Sequence, residues 1–506
     1  MPLPLAAIIP RTLDVVDYIL LAAYFVVNLG IGWWCSRRKQ SSGSFFLGGG
    51  RVAPWAMAVS FFATSTSSIS FMALPAMSYS TDWMAYGSSP AQAFAGILVG
   101  FVFVGLLRKL NLTTVFGYLD QRFDYRVRLL GAGLAVLLKV CGRMSVVMLL
   151  PSLALSTVTG LNVYLSILVM GIVTTIYAME GGFEAVVWTD VLQSAVMIGG
   201  VGVAIYFISS GVDGGLFGLI QTGQETGKFK MISWDWDFTK PTVWVFVGMF
   251  FATIPTQVGD QPLMQRMLAT ADVREAKRTV VMGNVIGLAG SVLFFFVGTA
   301  LFVFYRAHPD RLTADLPNDK IFPYFIANEL PHGIVGLIIA GLLAAAMGAL
   351  SSAMNATAAI LVSDFQGTLK PQATEQQRLR LARVSTMTCG LVATGMAAYL
   401  ASLNVTSLWD QFLRLIALIG GGFPGVFALG LLSRRANASG VIVGTLASIA
   451  ITAWVQYNTK MISFLHTFVA IGSCMLIGYI ASFFFAAKAE KRDLRGLTLW
   501  DLARSS

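Results

Sequence analysis

A succession of apolar runs, each about 20 residues long, most constrains how this sequence folds, because a helix of that length spans a bilayer. Charged residues make up 12% of the 506-residue chain, whereas a soluble protein carries roughly 25%. The sequence therefore predicts an all-α polytopic membrane protein with thirteen transmembrane helices. The predicted spans are residues 16–35, 54–77, 85–107, 129–157, 163–178, 185–210, 241–258, 279–305, 333–362, 381–400, 408–432, 438–457 and 462–487.

Lysine and arginine are distributed unevenly between the two sides of the predicted membrane. With the N-terminus outside, the cytoplasmic segments hold 24 of the 35 basic residues, the outside segments hold 8 and the spans hold 3. This bias predicts an outside N-terminus and a cytoplasmic C-terminus. It also argues against nucleic-acid binding, because the net charge of +10 is not gathered into one patch. Two longer outside loops, 211–240 and 306–332, are either extracellular lids or plain connectors, and we favour connectors.

Cysteine and histidine usage excludes several kinds of site. Four cysteines lie in or beside apolar runs without metal-ligand spacing, and three histidines are scattered along the chain. We therefore expect no disulfide framework, metal centre or histidine-based catalytic site. No cleavable signal peptide is evident, and the tail after residue 487 has no room for a catalytic module. We predict that the protein is not an enzyme.

Two predicted spans are interrupted by residues that weaken a helix. In span 54–77, six hydroxyl residues occupy the eight positions 63–70. In span 241–258, Pro255 removes a backbone donor, and the segment 259–262 ends the span. Taken singly, the first interruption is explained equally well as a Ser/Thr packing face, and the second is explained equally well as a proline kink. Because the two interruptions begin two five-helix sets, together they indicate an inverted-repeat transporter with its site at the membrane midplane.

Residues 341–364 form an almost uncharged run of small residues. Ala, Gly and Ser at three- and four-residue spacing let neighbouring helices approach closely. Polar atoms at membrane depth, where they need a partner, come from Ser351, Ser352, Asn355 and Thr357. We interpret this helix as one wall of an ion and solute site. The alternative is a tightly packed helix whose serines bond back to its own carbonyls.

Charged side chains within the predicted spans indicate polar chemistry inside the membrane. Inserting Arg143 into the membrane costs about 2.5–3.5 kcal/mol, and its planar guanidinium can bind both oxygens of a carboxylate. The alternative is snorkelling to the cytoplasmic face, which suits Lys139 better. Asp190 needs a cation, a proton or a basic partner, and with Ser351 and Ser352 it would form a hard oxygen site suited to Na⁺. The alternative for Asp190 is a structural ion pair near the inner mouth.

Four segments resemble the sodium/solute symporter family, and the resemblance covers nearly the whole chain. They are residues 142–154 (GRMSVVMLLPSLA), 181–193 (GGFEAVVWTDVLQ), 260–269 (DQPLMQRMLA) and 344–357 (AAAMGALSSAMNAT). The resemblance implies a leucine-transporter-type fold with two inverted repeats of five helices. The block around Arg143 is most similar to the sialic acid transporter branch, where the matching arginine meets the sugar carboxylate.

The implied division treats residues 1–506 as one transmembrane transporter domain. Its parts are a leading helix (16–35), a first repeat (54–210), a second repeat (241–432), two trailing helices (438–487) and a cytoplasmic tail (488–506).

The resemblance also implies ligands for Na⁺. The common site of the family uses backbone carbonyls that map to Ala63, Thr66 and Ala345, and two hydroxyls that map to Gly348 and Ala349. Because neither of the last two residues has a hydroxyl, we expect this site to be impaired. A second site, present in some members, maps to Asp190, Ser351 and Ser352 and is intact, so it is the site we favour.

We expect a Na⁺-coupled symporter that imports a small organic solute, and the resemblance implies a carboxylate-bearing sugar such as sialic acid. The implied solute-binding residues are Ser65, Ser67, Ser70, Gln92 and Arg143. A monocarboxylate, a neutral sugar and a passive facilitator with degraded coupling are the alternatives left open. The expected location is the cell membrane, the inner membrane in a bacterium, in contact with lipid and without nucleic acid or an obligate protein partner.

Overall fold

The computed structural model of the chain describes residues 13–38, 41–50, 52–110, 112–313, 316–403, 422–485 and 496–502. Helices dominate these residues, and no strand occurs among them. The helices are α1 (Val15–Ser36), α2 (Ser42–Leu47), α3 (Pro54–Ser65), α4 (Ser68–Ser80), α5 (Ser88–Val102), α6 (Val104–Lys109), α7 (Phe116–Arg122), α8 (Tyr125–Leu137), α9 (Ser145–Thr159), α10 (Val163–Ser210), α11 (Gly215–Glu225), α12 (Val243–Gly259), α13 (Gln261–Leu268), α14 (Val273–Ala307), α15 (Ile321–Glu329), α16 (Ile334–Ile360), α17 (Gly367–Leu369), α18 (Glu375–Ser402), α19 (Phe423–Leu432), α20 (Ala438–Asn458), α21 (Ser463–Phe484) and α22 (Leu499–Leu502).

The prediction of a polytopic helical membrane protein is confirmed. Among the described residues, eight helical segments are long and apolar enough to cross a membrane, or ten if each of two bent pairs crosses as one span. Two of the eight continue through π-helical turns, at Leu138–Met144 and Leu361–Gln366. The predicted span 408–432 lies mostly outside the described residues, which include only its end, α19.

Helix α16 lies at the centre of the molecule, between α1, α10 and α18. Every residue from 338 to 360 on this helix is buried. Its glycines allow this packing, because a Cβ at Gly336 would lie 2.7 Å from the Cα of Asp17, and one at Gly341 would lie 3.3 Å from the Val196 carbonyl oxygen. The Asp17 carboxylate also caps α16, since its Oδ1 accepts the N–H groups of Gly333 and Gly336, each at 2.7 Å.

The predicted loop 179–184 is wrong. Helix α10 runs through it for 48 residues, and only Gly182 inside that helix departs from helical geometry (φ 59°, ψ −150°). Glycine tolerates this positive φ, and a Cβ there would lie 2.8 Å from a ring carbon of Phe45. Since about 20 helical residues cross a bilayer, the 48 residues of α10 exceed the length of one crossing, and the helix is kinked at one glycine rather than interrupted by a loop.

Both predicted helix interruptions occur, but the second is displaced. Helix α3 ends at Ser65 and α4 begins at Ser68, with the two residues between them in extended conformation. Helix α12 passes through Pro255 without a break, and the chain bends by 64° at Asp260, between α12 and α13. Pro262 in the first turn of α13 favours a new helix there, because its missing N–H would be unpaired at that position in any case.

The loop 211–240, which we predicted to lie outside and expected to be a connector, packs onto the broken span. It contains α11 and then brings Lys228 to the C-terminal end of α4. The Lys228 ammonium donates to the carbonyls of Tyr79 and Thr81, each at 2.6 Å, and lies 3.8 Å from the centre of the Phe302 ring. A cation at this position satisfies carbonyls that lack helical partners and complements the helix dipole.

We predict that Lys228→Met destabilises the protein, because the last carbonyls of α4 lose their buried donor. Hydrogen bonds from a charged group contribute about 1.5–3 kcal/mol, so the melting temperature of the purified protein should fall by several degrees. The matched control is Lys230→Met, since Lys230 lies two residues further on and is exposed. Equal melting temperatures for the two variants would contradict this role of Lys228.

Candidate functional site

One face of α3 contributes the polar side chains at the centre of the site. Ser60 and Thr64 are four residues apart and therefore point to the same side of the helix. The Ser60 hydroxyl donates to Asp190 Oδ2 at 2.5 Å and accepts from the Arg266 Nε at 3.0 Å. The Thr64 hydroxyl lies 3.1 Å from that of Ser352. This face of α3 thereby joins α10, α13 and α16 at one buried point.

The centre of this cluster is an ion pair between Asp190 and Arg266. The Nη2 of Arg266 donates to Asp190 Oδ2 at 3.0 Å and to the Ser352 hydroxyl at 2.6 Å. The side chains of Asp190 and Arg266 are 0% and 1% exposed, so no solvent screens the pair. The predicted proximity of Asp190 to Ser352 is present, with 3.5 Å between Oδ2 and the hydroxyl, and an arginine is also bound there.

Thr64 links this cluster to a second group of charges. Its carbonyl oxygen, in the last turn of α3, accepts a hydrogen bond from Nη2 of Arg143 at 3.1 Å. The Nη1 of Arg143 lies 3.8 Å from Asp260, whose other oxygen accepts from Lys139 at 2.7 Å. Lys139, which we considered as a snorkelling side chain, pairs with a carboxylate that the break between α12 and α13 brings within its reach.

The two groups together carry one uncompensated positive charge. They contain two carboxylates and three cations, namely Asp190, Asp260, Lys139, Arg143 and Arg266. Of the three cations, Arg143 has the most exposed side chain (27%) and only a long contact with its carboxylate. The electrostatics of the site therefore favour an additional anion beside Arg143.

The residues of the two predicted ion sites lie close together. Ala63 is in the last turn of α3, where helix carbonyls lack intrahelical partners. A Cβ built on Gly348 would lie 3.8 Å from the Ala63 Cβ and 3.2 Å from Asp190 Oδ1. Gly348 therefore lies beside residues of both predicted ion sites. Ser351 donates to the Gly348 carbonyl at 3.2 Å, which is the back-bonding that we considered as the alternative for this helix.

The predicted solute-binding residues differ from one another in exposure and in position. Ser65 is exposed and bonds to the carbonyl of Phe62 at 2.8 Å, whereas Ser67 is buried at the start of α4. Both flank the break whose Thr64 carbonyl contacts Arg143. The remaining two residues, Ser70 and Gln92, lie on α4 and α5, half-buried and exposed respectively.

Sequence reasoning missed Ser60, Thr64 and Arg266 as members of this cluster. A signal for Arg266 was available, because it lies in the segment 260–269 that resembles the family. Its position between predicted spans suggested a cytoplasmic cation, and only the bend after Asp260 turns it inward. No sequence signal singled out Ser60, because hydroxyl residues one helical turn apart, such as Ser60 and Thr64, also occur in helices without a functional site.

The comparison with protein families identifies the family of the chain. Residues 45–448 match the model of the sodium:solute symporter family. The chain belongs to this family. It is therefore a multi-pass membrane transporter that uses Na⁺ as its co-transported ion, and it is not an enzyme.

Similar proteins support this assignment over nearly the whole chain. The sodium/sialic acid symporter NanT of Aliivibrio fischeri is 33% identical over 502 residues, which are 98% of each chain. The sodium/sialic acid symporter SiaT of Proteus mirabilis is 34% identical and covers 93% of this chain and 95% of its own. A solved structure of a Na⁺-coupled sialic acid symporter, substrate-bound and outward-open, has a TM-score of 0.87 at 32% identity, covering 94% of this chain and 98% of that one.

We predict strong energetic coupling between Asp190 and Arg266. Asp190→Asn or Arg266→Met alone leaves an unpaired buried charge and should cost about 3–5 kcal/mol, whereas the double variant removes both charges and should cost less than the sum. Thermal unfolding of the four proteins in detergent measures this coupling. The control is the solvent-accessible pair Asp237 and Lys240, whose side chains are 33% and 74% exposed and 3.6 Å apart, and whose coupling should be about 0–1 kcal/mol. Additive shifts at both pairs would contradict the prediction.

Proposed function

We propose that this chain imports sialic acid, or a closely similar carboxylate-bearing sugar, together with Na⁺ by alternating access. The observation that carries the proposal is the position of Arg143. It lies at the break in the first interrupted span, contacts that break through the Thr64 carbonyl, and carries a positive charge that its neighbours leave uncompensated. The similarity to NanT and SiaT along nearly the whole chain supports the same solute class.

Arg143 has the geometry to bind a carboxylate. One nitrogen donates to Thr64, and the other lies 3.8 Å from Asp260, which is beyond a direct hydrogen bond. Its guanidinium therefore retains donors for both oxygens of an incoming carboxylate. Hydroxyls that flank the break, including those of Ser65 and Ser67, suit the hydroxyl groups of a sugar.

The charge of the site separates the alternatives. With Na⁺ bound as well, the site would carry two excess positive charges beside a neutral sugar and one beside a carboxylate. Because an unpaired charge inside the membrane costs about 2.5–3.5 kcal/mol or more, the anion is favoured over the neutral sugar. A monocarboxylate shares the carboxylate but not the hydroxyls, and competition between the two solutes distinguishes them experimentally.

For the ion, we propose a site at Asp190 with Ser351 and Ser352. Asp190 supplies the charge, and the hydroxyls supply hard oxygen atoms of the kind that Na⁺ prefers. Arg266 occupies the same carboxylate oxygen and the Ser352 hydroxyl, so Na⁺ and Arg266 either share or compete for these groups. We propose that the carbonyl site of Ala63, Thr66 and Ala345 contributes less, because Gly348 and Ala349 offer it no hydroxyl.

We also propose the finer architecture. The chain would have thirteen transmembrane helices, with one leading helix, two inverted repeats of five (54–210 and 241–432) and two trailing helices. The breaks between α3 and α4 and between α12 and α13 support the repeats, since they interrupt the first helix of each set. The distribution of Lys and Arg supports an N-terminus outside and a C-terminus in the cytoplasm. Direct contact with lipid follows from the apolar spans.

We expect proteoliposomes that contain the protein to accumulate radiolabelled sialic acid under an inward Na⁺ gradient and not under a K⁺ gradient. Arg143→Lys should raise the solute concentration for half-maximal uptake by about tenfold or more, because a lysine cannot bind both carboxylate oxygens in the same fork geometry.

The control for this substitution is Arg126→Lys, since Arg126 is exposed on α8 and far along the chain from either break. Its uptake should match that of the unaltered protein. Competition assays test the solute class: excess neutral hexose should leave uptake unchanged, whereas inhibition by lactate as strong as by unlabelled sialic acid would indicate a monocarboxylate transporter. Downhill flux without sodium-driven accumulation would indicate a facilitator.

We expect transport to be electroneutral if one Na⁺ accompanies one monoanion. A potential of about 100 mV adds roughly 2.3 kcal/mol per net charge moved, and an electroneutral complex gains none of it. A tenfold Na⁺ gradient then supports only about tenfold accumulation. Solid-supported membrane recordings test this directly, because sustained currents that scale with solute would show that more than one Na⁺ is coupled.

A further inference from the structure

The two carboxylate oxygens of Asp190 have different surroundings. Oδ2 accepts from Ser60, Arg266 and Ser352, so its hydrogen-bonding capacity is used. Oδ1 is fully buried and has no hydrogen-bond partner among the described residues. A buried carboxylate oxygen without a partner costs free energy, so a ligand that reaches Oδ1 gains a strong electrostatic contact.

A second buried oxygen without a partner lies close to the first. Gln193 is 1% exposed and lies almost one turn after Asp190 on α10, and its Oε1 also has no hydrogen-bond partner among the described residues. A Cβ built on Gly348 would lie 2.9 Å from this oxygen and 3.2 Å from Asp190 Oδ1. Both oxygens therefore face the small space that glycine leaves at position 348.

The orientation of the Gln193 amide is set by its neighbours. Asn28 uses its own amide nitrogen to donate to the Tyr24 carbonyl at 2.8 Å, so its oxygen faces Gln193. The Gln193 nitrogen donates to that oxygen at 3.0 Å and lies 3.3 Å from the Tyr177 hydroxyl. Reversing the amide would place two oxygens against each other at Asn28, so Oε1 points toward Gly348.

Two acceptor oxygens that face one small space, without a donor between them, are suited to a cation. One is anionic and the other is a neutral amide oxygen, and both are hard ligands of the kind that alkali and alkaline-earth ions prefer. The Ala63 Cβ lies 3.8 Å from the Cβ position built on Gly348, so the end of α3 lies at the edge of this space. A side chain at position 348 would occupy it.

We propose that Na⁺ binds between Asp190 Oδ1 and Gln193 Oε1, in the space that Gly348 leaves open, and that Gln193 is a cation ligand in this chain. This inference rests on the proposed ion role of Asp190, and it adds both a ligand and the side of the carboxylate to which the ion binds. Arg266 remains on Oδ2 in this arrangement. The ion therefore binds without displacing the buried ion pair.

The test is Na⁺ titration of the purified full-length protein without solute, with choline as the replacement cation. The readout is the melting temperature, which a ligand of the folded state raises as its concentration passes the dissociation constant. We expect Gly348→Ala and Gln193→Met to raise the half-saturating Na⁺ concentration by about tenfold or more. The control is Gly341→Ala, which adds the same methyl group to α16 against α10, 3.3 Å from the Val196 carbonyl and away from both oxygens.

Gln193→Glu provides a test in the opposite direction and covers the case in which Gln193→Met does not fold. It keeps an oxygen at the site and adds a negative charge, so Na⁺ should stabilise this variant more than it stabilises the unaltered protein. If the unaltered protein responds to Na⁺ and the Gly348 and Gln193 variants titrate as it does, Na⁺ binds elsewhere and the proposal is wrong. A lack of response to Na⁺ in the unaltered protein would instead refute the proposed ion role of Asp190.

Discussion

The buried ion pair between Asp190 and Arg266 is the interaction on which the site depends. Both side chains are almost fully excluded from solvent, so each needs the other to compensate for the loss of hydration. The hydroxyls of Ser60 and Ser352 complete the hydrogen bonds around the pair. One interaction thereby brings α3, α10, α13 and α16 together, and it orients the carboxylate so that its second oxygen has no hydrogen-bond partner among the described residues.

Two breaks in otherwise regular helices allow charges to meet at membrane depth. The break after α3 exposes the end of a helix near Thr64, whose carbonyl contacts Arg143 and whose hydroxyl contacts Ser352. The break after α12 brings Asp260 to Lys139 and turns α13 so that Arg266 points inward. A rearrangement at the first break would alter both charge groups, because Thr64 touches each of them. One at the second break would move Asp260 and Arg266, which belong to different groups. For the proposed solute and ion sites, these contacts would provide a physical route of coupling.

Much of the fold and part of the site could be predicted from local pattern. Apolar runs predicted the membrane helices, clustered hydroxyls predicted an interruption within residues 63–70, where the structure breaks at 66–67, and small residues predicted the close packing of α16. The proximity of Asp190 and Ser352 followed from the resemblance to the family rather than from spacing. The ligands of the solute and of Na⁺ stay predictions, since the described contacts show proximity and not occupancy.

Other features depend on which helix ends meet. Pro255 was expected to interrupt its span, but α12 continues through this proline. The break lies instead at Asp260, where Pro262 in the first turn of α13 favours the start of a new helix. Lys139 pairs with a carboxylate 121 positions away along the chain. Sequence patterns report the preferences of neighbouring residues and contain no information on such distant partners.

By itself, the sequence determined that this chain is a helical membrane protein, where its first broken helix lies and which polar residues need partners inside the membrane. These properties follow from the cost of exposing backbone and charge to hydrocarbon, which acts on every segment separately. Only the tertiary structure decided that Arg266 pairs with Asp190, and that Gln193 and Gly348 line the same small space. Those arrangements depend on distances between helices of a few ångströms, and packing of the whole chain sets such distances.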